Sequence, residues 1–107
     1  MTIEQIRKDI EGKLQQRDYY AAYLIIDELS DKYLNSKITN YELCIELINQ
    51  NQDLFEYLGA SKQFESAYDL HKKLKKNRNK LFLSCLSENQ KELKNIFKRC
   101  VGDFSID

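Results

Sequence analysis

A chain of 107 residues with three glycines and no proline is long enough to bury one hydrophobic core, so a single domain is expected. No run of about 18 apolar residues occurs, which argues against a membrane span. The N-terminal Met1-Thr-Ile-Glu-Gln-Ile-Arg lacks the apolar core of a signal peptide. Formal net charge is zero but unevenly placed: residues 1–60 carry 6 Lys/Arg against 11 Asp/Glu, and residues 61–107 carry 11 against 6. Such asymmetry marks either separate faces for two partners or two halves of one bundle that attract each other, and only the second needs no partner.

Helical periodicity begins at once. Ile3, Ile6, Ile10 and Leu14 recur at helix spacing, and Thr2 with Gln5 has the form of a capping box. Arg17 and Asp18 turn the chain into a second helix over about 18–34, apolar most of the way round between Tyr19 and Ile26. A helix of that kind is one that others pack against, so it is expected at the centre, with Ala22, Ile25, Ile26, Leu29 and Tyr33 facing inward.

Thr39 with Glu42 forms another capping box, followed by Tyr41, Cys44, Ile45, Leu47 and Ile48 on one stripe. The polar run Asn49-Gln-Asn-Gln52 interrupts that stripe, and Asp53 with Glu56 can cap a new short helix that stops at Gly59. Residues 40–59 therefore read as one helix or two. From Lys62 to Leu86 helical spacing returns, with a kink or break expected at Asn77-Arg-Asn79. Ser87 with Gln90 opens a last helix carrying Leu93, Ile96, Phe97 and Cys100. The expected fold is a single all-α domain, an antiparallel bundle of five or six helices.

A faint internal echo relates Asp18-Tyr19-x-x-Ala22 to Gln63-Phe64-x-x-Ala67, each like the turn and second helix of a tetratricopeptide hairpin. The 45-residue separation does not match that repeat's period, so a shared hairpin solution is read, not a repeat array.

Little here suggests catalysis. Cys44, Cys85 and Cys100 are odd in number and far apart, which disfavours a disulfide framework and fits a reducing cytosol. With His71 they make a zinc ligand set by number alone. No close Cys pair exists, and each Cys lies on an apolar stripe, where it acts as a small hydrophobe. His71 shares a stripe with Phe64 and Cys85 and reads as a half-buried, hydrogen-bonded residue rather than a base. There is no Gly-rich phosphate loop and no recognisable carboxylate pair. Neither an enzyme nor a cofactor or metal is expected.

Two surfaces remain as binding candidates. The run His71–Lys80 places Lys72, Lys73, Lys75, Lys76, Arg78 and Lys80 within ten residues. Such charge can track a phosphate backbone, but no aromatic platform is interleaved, and a solvated face or a dock for the acidic half is the simpler reading. The other surface is the outer side of the central helix. There Tyr20, Leu24, Asp27 and Asp31 lie opposite Ala22 with Glu28 beside them, either exposed for a partner or covered by another helix.

The stretch Leu29-Ser-Asp-Lys-Tyr-Leu-Asn-Ser-Lys-Ile-Thr-Asn-Tyr-Glu42 resembles the helix–connector–helix of colicin-D-type immunity proteins. Residues 18–47, from Asp18-Tyr-Tyr-Ala-Ala-Tyr-Leu onward, also resemble immunity proteins of Maf-type polymorphic toxin systems. The likeness covers about a third of the chain and does not extend to the basic second half. It implies a small helical bacterial inhibitor, folded in the cytosol, that covers the active site of a cognate toxin, often a nuclease, with an acidic surface. On that reading Asp27, Glu28, Asp31, Glu42 and Glu46 supply the charge, and Tyr20, Tyr23 and Leu24 the anchoring contacts. Two other classes stay open: a helical-hairpin adaptor such as a secretion co-chaperone, and a nucleic-acid binder acting through residues 71–80.

Overall fold

The computed structural model describes residues 2–36, 40–60 and 68–84, together with Lys94, Asn95 and Lys98. Its elements are α1 (Ile3–Gln15), α2 (Tyr19–Asn35), α3 (Tyr41–Ala60) and α4 (Tyr68–Ser84). The all-α expectation holds. Among the described residues the helices number four, not five or six: the polar stretches 49–52 and 77–79 lie inside continuous helices, and the last expected helix is not among the described elements. Of the last helix expected after Ser87 only Lys94, Asn95 and Lys98 are described, each helical, while Phe64 and Ala67 of the internal echo, Cys85 and Cys100 lie outside the described residues.

Local chemistry sets the starts. Thr2 Oγ1 accepts from Gln5 N at 3.1 Å and Gln5 Oε1 accepts from Thr2 N at 3.0 Å, completing the capping box. Asp18 caps α2 by accepting from Ala21 N at 3.1 Å. Asn40 Oδ1 accepts from Leu43 N at 3.1 Å, a side-chain cap at the start of α3, and Thr39 of the expected capping box lies outside the described residues.

Between α1 and α2 the chain turns in three residues, Gln16, Arg17 and Asp18. Arg17 takes φ 57, Arg17 N donates to Leu14 O and Asp18 N donates to Lys13 O, both at 2.9 Å. That is a Schellman closure with arginine where glycine is the usual occupant. Gly59, expected to end a helix, instead lies within α3, where the neighbouring atom that a Cβ would meet is His71 Nε2 at 3.7 Å.

The contacts give the directions of the helices. Tyr19 meets Tyr57 and Ser30 meets Asn51, so α2 and α3 run antiparallel. Cys44 reaches Leu81 and Phe55 stacks on His71, so α3 and α4 are also antiparallel. Tyr23 faces Lys73 and Asp27 bonds Asn77, which makes α2 and α4 parallel neighbours. The α3–α4 pair forms the most extensive contact, while α2 packs substantially on all three other helices. It is the central post in that sense.

One core gathers Ile6, Ile10, Ala22, Tyr23, Ile26, Leu54, Phe55, Leu58 and Leu74. A second gathers Cys44, Leu47, Ile48, Leu81 and Phe82. Ser30, Asn51, Gln52, Arg78 and Asn79 are buried polar groups on the same helices. Asn51 Nδ2 donates to Ser30 Oγ at 3.0 Å and to Leu47 O at 2.8 Å. Arg78 donates from Nη1 to Gln52 Oε1 at 2.6 Å, and from Nε and Nη2 to Asn79 Oδ1 at 3.0 and 2.8 Å. Its guanidinium also lies 5.7 Å from the Phe55 ring centre. The polar runs 49–52 and 77–79 thus contribute side chains that meet in the interior, which is why neither breaks its helix.

Candidate functional site

The outward stripe of α2 is the exposed half of the central helix. Tyr20 is 60% and Leu24 46% exposed, and Glu28 and Asp31 are exposed with them. At 100° per residue these four positions fall in one sector. Tyr20 leans on Tyr23 with ring centres 6.1 Å apart. Glu28 Oε1 pairs with Lys32 Nζ at 3.2 Å, an exposed pair one helical turn apart that adds little stability. The stripe therefore presents an aromatic ring, an aliphatic chain and two carboxylates to solvent.

The other residues expected in this site lie elsewhere. Tyr23 is only 5% exposed and is not an available anchor. It packs into the seam between α2 and α4, with Lys73 Nζ 6.0 Å from its ring centre. Burial, with the negative charge of Asp27 second, pushes its hydroxyl up to about 12. Asp27 is half-buried in the same seam and accepts from Asn77 Nδ2 at 2.8 Å. Position on the α4 side of α2, not hydropathy, removes both from the outer surface.

Glu46 is also buried, and it ties α3 to α1. Arg7 donates from Nη2 to Glu46 Oε1 at 2.6 Å, and from Nε to Oε1 and Oε2 at 3.0 and 3.2 Å. Gln50 Nε2 adds a fourth bond at 2.8 Å. Burial alone would raise the Glu46 carboxyl, but the hydrogen bonds from Arg7 and Gln50 override it and hold the group below its ordinary range. The same bond, with the carboxylate's charge, raises the Arg7 guanidinium. Glu42 is exposed and lines a recess of about 320 Å³ with Arg7, Ile45 and Glu46, on the α1–α3 side. The eight expected residues divide among three places, and the outward α2 stripe holds Tyr20, Leu24, Glu28 and Asp31.

The basic run divides as well. Arg78 has no exposed surface and is an interior donor, so it is removed from any phosphate-tracking set. Lys75 is half-buried; Lys72, Lys73, Lys76 and Lys80 are exposed. Lys72 Nζ sits 4.5 Å from the centre of the Tyr68 ring, and Tyr68 and Leu83 are themselves exposed on α4. An aromatic does accompany the lysines, at position 68, just ahead of the run His71–Lys80. Periodicity at i, i+4 would have found it.

An apolar groove of about 340 Å³, which sequence reasoning missed, opens among Ile6, Leu29, Tyr33, Leu43 and Leu47, rimmed by Lys32, Ser36 and Asn40. Leu29 and Tyr33 were expected to be inward-facing and are half-buried along it. His71 is half-buried, its ring stacked on Phe55 with centres 3.6 Å apart. Cys44 is buried and donates through Sγ to Leu81 O at 3.3 Å. Among the described residues no group of three or more His, Cys, Asp or Glu is placed to hold a metal ion, and no helix is long and apolar enough to cross a membrane. No protein-family model, curated protein or solved structure matches the chain.

Proposed function

We propose that this protein is a protein-binding inhibitor, an immunity protein that neutralises a cognate bacterial toxin by laying the outer face of α2 over a basic active site. The observation that carries the reading is the exposure of Tyr20 and Leu24 on the same sector as Glu28 and Asp31. Large side chains of this kind are favoured as binding anchors, and acidic neighbours steer a basic partner by raising the association rate. A nuclease partner suits the charge, since carboxylates take the place of substrate phosphates. Tyr23, Asp27 and Glu46 act in this reading as supports that hold α2 and α3 in place, not as contacts.

The test is co-expression with the toxin encoded beside this gene. The chain is expected to co-purify with it at one to one and to abolish its activity. A toxin that stays fully active with the chain in excess would overturn the proposal. The adaptor reading draws on a different place, the apolar groove beside Leu29, Tyr33 and Leu43. A partner helix held there would be released by Leu43→Asp and unaffected by Leu24→Asp.

A further inference from the structure

We infer that the α2–α4 face is a self-complementary interface, and that its occupant is a second copy of this chain. The seam between the two helices is marked by Tyr23 against Lys73 and by Asp27 bonded to Asn77. On the α2 side the solvent-facing sector next to the seam holds Tyr20, Leu24, Glu28 and Asp31. On the α4 side the corresponding sector holds Lys72, Lys76 and Lys80, with Tyr68 and a single carboxylate, Asp69, at its start, so its net charge is basic. An acidic stripe and a basic stripe therefore lie side by side, one on each flank of the seam.

Within one molecule they do not neutralise each other. Among the described residues, Glu28 pairs only with Lys32 of its own helix, Asp31 makes no ion pair, and neither do Lys72, Lys76 and Lys80. The attraction between the two halves expected from the charge asymmetry is left unsatisfied at this face.

The register supplies the rest of the argument. Because α2 and α4 are parallel, with residue 23 level with 73 and 27 level with 77, each α2 position stands at the height of the α4 position fifty residues later. Glu28 is level with residue 78, between Lys76 and Lys80, and Asp31 is level with residue 81, next to Lys80. A two-fold axis along the seam turns one copy face-down on the other without sliding it along the helices. The acidic stripe of each copy then lies over the basic stripe of the other, with each carboxylate within about 3 Å along the axis of a lysine position. Tyr20 meets the level of Tyr68 and Lys72 in the same way. Such an isologous contact repeats every pair twice.

The contact is built from exposed ion pairs and few apolar groups, so the dimer is weak and salt-sensitive. It covers Tyr20 and Leu24, and partner binding at that stripe would compete with it. The self-pairing itself does not rest on the inhibitor reading, and its test uses no toxin.

Sedimentation velocity of the full chain at concentrations up to about 1 mM, in about 0.01 M and about 1 M salt, reads the effect. A sedimentation coefficient that rises with concentration at low salt and stays monomeric at high salt is expected. Glu28→Lys/Asp31→Lys makes both stripes basic, Lys76→Glu/Lys80→Glu makes both acidic, and each variant should be monomeric alone at low salt. Mixing the two should restore a dimer of one copy of each. All four positions are exposed, and unchanged circular dichroism confirms that the variants fold. A native chain that is monomeric at low salt throughout, or mixed variants that fail to associate, would overturn the inference. A monomer that instead binds a labelled oligonucleotide through Lys76 and Lys80 would overturn it too, and assign the basic stripe to polyanions.

Discussion

Arg78 Nη1 donates to Gln52 Oε1 at 2.6 Å, and neither side chain has any exposed surface. A guanidinium in a helical interior is tolerated only where acceptors surround it, and Gln52 and Asn79 both provide them. Gln52→Leu removes one acceptor and leaves a charged donor facing an alkyl chain. Breaking such a contact costs about 3 kcal/mol. The same substitution deletes Gln52 Nε2, which has no acceptor among the described residues, so a net loss of about 2 kcal/mol is expected. The double variant Gln52→Leu/Arg78→Met should lose less than the sum of the two single changes, as read from urea midpoints.

Glu46 gives the fold an acid-sensitive tie. Its folded carboxyl lies below the unfolded value because Arg7 and Gln50 hold the charged form more strongly than burial opposes it. The contribution to stability is therefore complete above an unfolded value of about 4.3 and is lost as pH falls through the lower folded value. Glu46→Gln cannot titrate. The stability difference between native chain and variant should be constant near neutrality and shrink as pH drops below about 4.3. A difference that stays constant down to the acid transition would show that Arg7 does not stabilise the charged form.

These two networks mark how far the residues alone reach. The capping box at Thr2, the turn at Arg17-Asp18 and the inward Ala22 and Ile26 were legible because each depends on neighbours within one helical turn. The runs Asn49–Gln52 and Asn77–Asn79 look like breaks along their own helices because their partners lie on other helices. Asn51 and Gln52 are buried only because α2 and α4 bring Ser30 and Arg78 to them. Two polar interruptions on otherwise apolar stripes, in different helices, are the signal that would have suggested a shared polar layer. The same limit applies to the site. Tyr20 and Tyr23 look alike in sequence, and only the position of α4 buries one and leaves the other exposed.

The turn at Arg17 offers a gain in stability. With φ at 57, a side chain there bears the steric cost of the left-handed region, while the Schellman bonds at Leu14 and Lys13 require that conformation. Arg17→Gly relieves that cost but enlarges the freedom of the unfolded chain, so a net stabilisation of about 0.5 kcal/mol is expected. Arg17→Val should instead lose about 1 kcal/mol, since a branched side chain fits this region poorly. Thermal unfolding midpoints of the three chains would order them Gly, Arg, Val. Any other order would mean that the arginine side chain contributes contacts beyond its backbone.

The sharpest separation of support from contact comes from the two tyrosines at the start of α2. Tyr20 is mostly solvent-facing, so Tyr20→Ala, like Leu24→Ala, should change unfolding free energy by less than about 0.5 kcal/mol. Tyr23 fills the α2–α4 seam, and Tyr23→Ala should cost about 3 kcal/mol by leaving a cavity. Binding to the cognate toxin should show the opposite ranking at equal folded fraction. Tyr20→Ala and Leu24→Ala would each weaken it by about 2 kcal/mol, close to thirtyfold in Kd. Conservative Tyr23→Phe keeps the packing and should leave binding unchanged. If Tyr20→Ala and Leu24→Ala both bind the toxin as tightly as the native chain, the outward stripe of α2 is not the inhibitory surface, and the recess beside Glu42 becomes the next place to substitute.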